Sequence, residues 1–281
     1  MEKKRRLPSW FKMQRAAGEN YTTVKKIIET YGLNTICASG GCPNIGECWN
    51  SGVATFMILG EICTRACKFC ATKTGRPLAP DPDEPYRLAQ AVKALNLKHC
   101  VITSVDRDDI LDRGSGHWAE VVKQIKKVND KVTIECLIPD FDGNKSFIEK
   151  IIDSKPEIMS HNIETVRRLT PLIRTKADYD RSLGVLNHIA KAGITAKSGF
   201  MLGLGETEKE IKQTIHDIFN SGCSILTIGQ YLQPSFEHVE VAKYYAPEKF
   251  DEYKQIAIGM GFRFVESSPL VRSSYHAEKH V

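Results

Sequence analysis

Six short apolar runs rich in β-branched residues alternate with amphipathic stretches over most of the chain, and this alternation restricts the fold more than any other feature. The runs cover residues 55–59, 99–105, 132–138, 157–163, 195–202 and 224–232. Between them, the helical periodicity of the apolar side chains predicts helices over residues 85–95, 117–128, 145–152, 179–192 and 208–221. Strands that alternate with helices in this way build a parallel sheet from βα units. We therefore predict an α/β fold, a partial (β/α)6 barrel of the TIM type rather than a complete barrel.

Sequences on both sides extend the predicted barrel. The first part of the chain is polar and turn-rich, with one predicted helix at residues 21–31, and its basic residues 3–6 are expected to form a solvated tail. Near the other end, a helix at residues 248–259 and an apolar run at residues 262–266 could lengthen the sheet. We divide the chain into an N-terminal extension, a barrel and a C-terminal extension, at residues 1–52, 53–235 and 236–281.

Three cysteines lie close together just after the first predicted strand. Cys63, Cys67 and Cys70 occur in the segment Cys-Thr-Arg-Ala-Cys-Lys-Phe-Cys. Reactive groups of such folds collect at the carboxyl ends of the strands. Three thiolates can bind three irons of a 4Fe–4S cluster and leave the fourth iron open to a small molecule. A zinc site usually has four protein ligands, but no Cys or His follows Cys70 closely, and three neighbouring cysteines cannot all pair as disulfides.

A second group of three cysteines precedes the barrel. Cys37, Cys42 and Cys48 are separated by a stretch that contains Pro43 and three glycines, so this loop can bend sharply and bring several thiolates to one centre. A zinc site with a distant fourth ligand remains an alternative for this group. The other cysteines lie in or beside apolar runs and are predicted to be small buried side chains: Cys100, Cys136 and Cys223.

The spacing CxxxCxΦC, with the aromatic Phe69 just before the last cysteine, resembles the signature of the radical S-adenosylmethionine (SAM) enzymes. This resemblance implies that Cys63, Cys67 and Cys70 hold a 4Fe–4S cluster. It also implies that the open iron binds the amino and carboxylate groups of SAM, and that Phe69 lies near the adenine.

Several further segments narrow the resemblance to the lipoyl synthase family, and the similarity runs from Leu7 to Ala277. They are the second cysteine group (Cys37, Cys42 and Cys48), which lies upstream of the CxxxCxΦC motif, and residues 104–109, 161–165, 177–183, 197–207 and 272–277. The resemblance implies the insertion of two sulfur atoms, at C6 and C8 of an octanoyl chain on a protein lysine, with two SAM molecules cleaved per product. Residues 173–176 depart from the family, because Ile-Arg-Thr-Lys stands where a Val-Arg-Pro-Gly-like turn is usual.

The resemblance also implies the ligands of an auxiliary 4Fe–4S cluster that serves as the sulfur donor. Its three cysteine ligands are those of the second group, Cys37, Cys42 and Cys48. The fourth ligand is a serine of the Arg-Ser-Ser-Tyr segment, which we map to Ser274. We hypothesise that a serine alkoxide leaves iron more readily than a thiolate does, which would suit a cluster that releases sulfide. From the residues alone, Ser274 indicates only a hydrogen-bonding turn or cap.

The remaining site residues follow strands of the barrel. By resemblance, SAM is expected to contact Asn162, Glu164 and Arg174, in addition to Phe69, and Arg107 is expected to contact the substrate or a cluster. From the residues alone, the acidic run around Arg107 is typical of a solvated loop that caps a helix. Lys197 would be costly to bury without a partner, so we expect it at the barrel mouth, with an edge charge in solvent as the alternative.

Composition limits the partners and the compartment. The net charge of +5 is too small to indicate nucleic acid, and no apolar run approaches the ~20 residues needed to cross a bilayer. Clustered cysteines favour a reducing compartment, and no apolar stretch follows the basic start, so we predict a cytoplasmic protein. The resemblance implies three kinds of partner: octanoylated carriers (E2 lipoyl domains and the glycine cleavage H protein), an electron donor such as ferredoxin or flavodoxin, and an iron–sulfur carrier for cluster repair.

Two other functions remain open at this stage. One is another radical SAM enzyme that inserts sulfur, such as a methylthiotransferase, although those commonly carry an added RNA-binding domain for which 281 residues leave no room. The other is a non-catalytic iron–sulfur or zinc protein, which six regular βα units disfavour because they make an enzyme-type scaffold.

Overall fold

Seven parallel strands form the centre of the computed structural model, which describes residues 7–280. The main sheet has the order β1-β2-β5-β6-β7-β8-β9-β10, in which only β1 is antiparallel to its neighbour. The strands are β1 (Asn34–Thr35), β2 (Thr55–Ile58), β3 (Ile62–Cys63), β4 (Lys73–Thr74), β5 (His99–Ser104), β6 (Thr133–Leu137), β7 (Ile158–Ser160), β8 (Thr195–Leu202), β9 (Ile225–Gln230) and β10 (Phe264–Ser267). The basic tail predicted for residues 3–6 lies outside the described residues.

Helices cover the outside of this sheet. They are α1 (Glu19–Thr30), α2 (Ile36–Ser39), α3 (Ile45–Asn50), α4 (Glu84–Ala94), α5 (Ser115–Val128), α6 (Lys145–Ile152), α7 (Thr170–Ile173), α8 (Tyr179–Lys191), α9 (Glu208–Asn220) and α10 (Pro247–Met260), with short 3₁₀ turns at Phe141–Gly143 and Ala277–Lys279. Within residues 7–280, no helix has both the length and the apolar character that a membrane span requires.

The predicted α/β fold of six βα units is confirmed. The six apolar runs correspond to β2 and β5 to β9, and the late run adds β10, which pairs in parallel with β9. The fourth strand is shorter than predicted because the chain leaves the ladder after Ser160. Beyond the strand, the His161 N–H still donates to the Lys197 carbonyl on β8 (3.1 Å), and Glu164, whose φ is a positive 66°, forms an isolated bridge with Phe200.

Local sequence signals begin and end the helices. Thr207 and Glu210 form a capping box at the start of α9, because each side chain accepts a hydrogen bond from the other residue's backbone N–H. Helix α10 begins with Pro247 and ends at Gly261, whose φ of 108° favours glycine. Every residue of β2 and β9 is buried, as expected for strands covered on both faces.

The parallel strands place their carboxyl ends together, and we call the loops that follow β2 and β5 to β9 the barrel mouth. A C-terminal segment, residues 268–280, links the cysteine loop at residues 37–48 to the barrel. The Asn44 side-chain amide donates to the Leu270 carbonyl (2.7 Å), and Tyr275 Oη donates to Glu47 Oε1 (3.0 Å). This segment therefore brings the two extensions into contact.

Lys197 corrects one prediction, because its side chain is buried inside the barrel rather than at the mouth. Its Nζ lies 2.8 Å from each carboxylate oxygen of Glu135, and 3.4 Å from Nδ1 of His280. The prediction rested on the cost of burying a lysine without a partner, and the Glu135 carboxylate on β6 is such a partner. The sequence did not reveal this partner, since it lies 62 residues away.

Candidate active site

The first cysteine group lies on a loop at the barrel mouth, as its position after the first strand predicts. Strands β3 and β4 pair at the base of this loop, and the Gly75 N–H donates to the Cys63 carbonyl (3.0 Å). The Cys70 N–H donates to the Cys67 carbonyl (3.0 Å), which forms a tight turn. We call residues 62–75 the cluster loop.

Arg65, between the first two cysteines, fixes the cluster loop to the neighbouring strand ends. Its side chain is only 4% exposed, and its guanidinium contacts four carboxylates. The shortest contacts are Nε to Asp108 Oδ2 (2.9 Å) and Nη1 to Asp140 Oδ1 (2.8 Å). Two longer contacts, both 3.4 Å, reach Asp106 and Asp142. Two of these acids follow β5 and two follow β6, so one cation joins three loops of the mouth.

The Cys63 sulfur accepts hydrogen bonds from two backbone N–H groups, those of Arg65 (3.4 Å) and Asp106 (3.3 Å). Such donors orient a thiolate ligand and stabilise its charge. In the free protein, burial and the nearby Asp106 carboxylate raise the pKa of Cys63 to about 11. Burial also raises the pKa of Cys67, to about 12, with Asp106 adding to the shift and the positive charge of Arg174 opposing it. Iron binding at this loop must therefore displace protons.

The second cysteine group is also brought together by short-range structure. Cys37 lies in α2, Cys48 lies in α3, and the Cys42 N–H donates to the Cys37 carbonyl (3.0 Å) between them. Burial, together with the charges that neighbouring Cys42 and Cys37 would carry, raises the pKa of Cys48 to about 12. Burial also raises the pKa of Cys42, and the positive charge of Arg272, from the C-terminal segment, opposes this shift.

The donor sets of both groups fit an iron–sulfur cluster. Within residues 7–280, no three His, Cys, Asp or Glu side chains converge closely enough to hold a single metal ion. In a 4Fe–4S cluster each thiolate binds a different iron, so the three sulfurs of a group do not need such convergence.

The C-terminal segment carries the predicted serine beside the second cysteine group. The hydrogen bond from Tyr275 to Glu47 places Ser274 next to α3, which contains Cys48. Among residues 7–280 the Ser274 hydroxyl has no hydrogen-bond partner. The turn expected from the residues alone is present, but it uses the backbone, because Ala277 N–H donates to the Ser274 carbonyl (3.4 Å). The serine hydroxyl is therefore free to bind another group.

Asn162, Glu164 and Arg174 lie together at the mouth. Arg174 is buried, and its Nη1 donates to the Ile163 carbonyl (3.3 Å) and to Ser182 Oγ (3.1 Å). Burial raises the pKa of Glu164, while the Arg174 charge and a hydrogen bond from Asn162 oppose the shift. The group thus combines a carboxylate, an amide and a cation, which can bind an amino acid or a ribose.

Asn162 also reaches the C-terminal segment, because its side-chain amide donates to Ser273 Oγ at 2.6 Å. The residue next to Ser274 is therefore bonded directly to the group that contains Arg174. Phe69 extends the same region on the other side, where it packs against an apolar cluster of Val166, Leu169, Ile173, Leu204, Tyr231 and Val241. All the residues predicted to contact SAM therefore lie near the cluster loop.

Arg107 is engaged mainly with other parts of the protein. It forms two 2.9 Å bonds to the carboxylate of Asp109 and donates to the carbonyls of Leu59 (3.1 Å) and Leu78 (2.8 Å). These bonds use four of the five N–H groups of its guanidinium. Its contact with substrate or a cluster stays a prediction, and its visible role is to hold the mouth loops together.

Sequence reasoning missed Arg65 and His161. The His161 ring is buried, with Nδ1 2.9 Å from the Ile138 carbonyl and Nε2 3.0 Å from Ser182 Oγ, and burial with the nearby Arg174 charge lowers its pKa to about 4. Ser182 connects it to Arg174. Arg65 could have been suspected from the acids that follow two successive strands, since carboxylates that meet at one sheet edge need a cation.

Comparison with known proteins gives the family. A model of the radical SAM superfamily matches residues 57–218. The chain is 55% identical over 280 residues to the lipoyl synthase of Bacteroides fragilis (strain YCH46), covering 100% of this chain and 97% of the relative. It is 56% identical over 276 residues to the lipoyl synthase of Treponema denticola, covering 98% and 95%.

Solved structures agree on the fold. Streptococcus suis SuiB bound to the precursor peptide SuiA superposes with a TM-score of 0.60 at 10% identity, covering 88% of this chain and 52% of that chain. At this identity the likeness concerns only the fold. The full-length identity to curated relatives and the superfamily match together show that this chain belongs to the lipoyl synthase family of the radical SAM superfamily.

Proposed function

We propose that this chain converts a protein-bound octanoyl-lysine to lipoyl-lysine by inserting sulfur at C6 and C8, and that two separate cysteine sites at one barrel mouth serve the reaction. The observation that carries the two-site proposal is the bond from Asn162 to Ser273 at 2.6 Å. It joins the residues suited to SAM to the segment that reaches the second cysteine group.

Each group has proposed ligands among residues of this chain. Cys63, Cys67 and Cys70 would hold the first 4Fe–4S cluster, with SAM held by Phe69, Asn162, Glu164 and Arg174. An auxiliary cluster would be held by Cys37, Cys42, Cys48 and Ser274. When bound, these cofactors supply a radical able to attack unactivated C–H bonds, and the sulfur atoms.

The residues of the chain bind, orient and shield these groups. The two backbone N–H groups that point at Cys63 Sγ support a thiolate, and Arg65 fixes the position of the loop. The buried Arg174 supplies a positive charge for a carboxylate ligand. The apolar cluster around Phe69 excludes water from the region where a reactive species must be protected.

Several finer assignments belong to this proposal. The substrate would be an octanoylated carrier protein, such as an E2 lipoyl domain or the glycine cleavage H protein. Electrons would come from ferredoxin or flavodoxin, and an iron–sulfur carrier would rebuild the auxiliary cluster. The proposed division into residues 1–52, 53–235 and 236–281 follows the sequence pattern of the chain, and the proposed cytoplasmic location follows its clustered cysteines.

The proposal can be tested with protein prepared without oxygen and reconstituted with iron and sulfide. Two 4Fe–4S clusters require about eight irons per chain. An octanoyl-lysyl peptide, dithionite and SAM are then added, and the peptide mass and the deoxyadenosine released are measured. We expect two sulfur atoms per peptide and two deoxyadenosines per product. Release of deoxyadenosine with no sulfur in the peptide, or about four irons per chain, would contradict the proposal.

A further inference from the structure

Four large apolar side chains are exposed to solvent on segments that follow strands at the barrel mouth. Leu111 is 99% exposed, Leu78 85%, Phe236 68% and Leu172 56%. They are four of the nine large apolar residues that are exposed within residues 7–280. Each lies on a different segment, after β4, β5, β7 or β9. Exposed apolar residues gathered at one end of a molecule mark a binding surface more often than scattered ones do.

Hydrogen bonds connect these four segments to the cluster loop or to one another. The Lys68 N–H donates to the Ile173 carbonyl (2.8 Å), beside Leu172, and the Lys68 carbonyl accepts from Val239 (3.1 Å), on the loop of Phe236. On the other side, Arg107, which precedes Leu111 on the same loop, donates to the Leu78 carbonyl (2.8 Å). The apolar side chains therefore lie on loops that surround the first cysteine group.

Positive charge accompanies this surface. Lys68 and Arg76 are both exposed, and neither side chain has an ion pair or hydrogen bond within the described part of the chain. Of the acids beside the cluster loop and on the segment that follows it, Glu61 pairs with Lys73 (3.0 Å) and Asp81 pairs with Arg87 (2.8 Å), whereas the exposed Asp83 has no ion pair within residues 7–280. Glu237 is an exposed acid on the loop of Phe236, so the positive charge belongs to the cluster loop and the segment that follows it.

We propose that Leu78, Leu111, Leu172 and Phe236, with Lys68 and Arg76, form the docking surface for the carrier domain that bears the octanoyl-lysine, and that this domain presents acidic residues around its modified lysine. This inference rests on the proposed function. A chain attached to a folded domain can reach the mouth only if the domain surface itself meets the rim of the mouth. The four exposed apolar residues supply contact area, and the positive charges of Lys68 and Arg76 steer an acidic partner.

The test compares an octanoylated carrier domain with a short octanoyl-lysyl peptide, which contains the reacting group but no domain surface. The variants are Leu111→Ser, Phe236→Ser and Arg76→Glu, none of which alters a proposed ligand. We expect each to raise KM for the carrier about tenfold, with KM and kcat for the peptide within about twofold of the parent. The Arg76→Glu effect should weaken at high salt, whereas the Leu111→Ser effect should persist.

Matched controls lie elsewhere on the molecule. Ile258→Ser replaces an exposed apolar residue on α10, and Lys131→Glu reverses an exposed charge before β6, so neither should change KM for the carrier. The inference is overturned if Leu111→Ser, Phe236→Ser and Arg76→Glu leave KM for the carrier unchanged, or if they slow the reactions of carrier and peptide equally. A parent protein that modifies neither substrate would instead overturn the proposed function.

Discussion

Replacing Arg65 by methionine removes the cation that four carboxylates share. Asp140 is fully buried, but it keeps a contact with Arg181 at 3.3 Å, and Asp142 keeps Arg113 at 3.1 Å. Asp106 keeps no other ion pair within residues 7–280. Breaking a buried ion pair by removing one partner costs about 3–5 kcal/mol. Because most of the carboxylates retain a second cation, we expect Arg65→Met to lower the free energy of unfolding by about 3 kcal/mol, the lower end of this range.

The measurement is urea unfolding of the iron-free protein, followed by iron content after reconstitution. Arg65→Lys is the matched control, since it keeps the charge but loses the planar fork, and it should recover part of the stability. Arg65→Met should lose iron from the first cluster, because its loop is no longer fixed, and retain iron at the second cysteine group. Electron paramagnetic resonance of the reduced protein would distinguish the two centres.

The pH dependence of the stability loss tests whether the shared charge of Arg65 causes it. In the parent, burial alone would raise the pKa of Asp140, but the Arg65 charge and the hydrogen bonds outweigh it, so the pKa is lowered. A lowered folded-state pKa contributes stability at neutral pH that is lost as the pH falls toward and below ~3.9. The difference in stability between the parent and Arg65→Met should therefore be retained from pH 7 to about pH 4 and shrink as the pH falls below ~3.9. A loss below about 1 kcal/mol, or one independent of pH, would refute the shared-cation reasoning.

Four further predictions test other contacts. Ser274→Cys should keep iron at the auxiliary site but slow sulfur transfer to an octanoyl-lysyl peptide, and an unchanged rate would count against the alkoxide hypothesis. Lys197→Met should destabilise the protein by about 3–5 kcal/mol in urea unfolding by leaving Glu135 charged and buried, and adding Glu135→Leu should recover most of the loss. Thr207→Ala should cost about 1 kcal/mol by removing the α9 cap, measured as a lower Tm, while Thr207→Ser should not. Because the pKa of His161 is lowered to about 4, stability should fall as the pH drops from about 6.5 to 4, by about 3 kcal/mol, and His161→Asn should abolish that part of the slope.

The strands and helices were predictable because their signals are local. An apolar run such as β9, buried along its whole length, and the capping box of α9 are visible within a few neighbouring residues. The order of parallel strands followed from regular alternation with helices. The shortening of β7 was not visible, because apolar Ile163 continues the pattern after the chain has left the ladder.

The site was predictable where residues are close in sequence and not where they are distant. The spacing of the cysteines places both groups, but the contacts of Arg65 with Asp140 and of Lys197 with Glu135 span 75 and 62 residues. The bond between Asn162 and Ser273 spans 111. Such pairs depend on how strands are ordered in three dimensions, and nothing in the local sequence of either partner specifies the other.

The contact between Glu47 and Tyr275 joins residues that are 228 positions apart. During synthesis on the ribosome, Cys37, Cys42 and Cys48 emerge long before the C-terminal segment that lies against their loop. The three cysteines of the cluster loop emerge together. Closing so long a loop is entropically unfavourable until the intervening sheet has formed. Under the proposed assignment, maturation therefore has an order built into it: the cluster loop can receive its cluster on a partial chain, whereas the proposed site of Cys37, Cys42, Cys48 and Ser274 is complete only after residue 275 has been made.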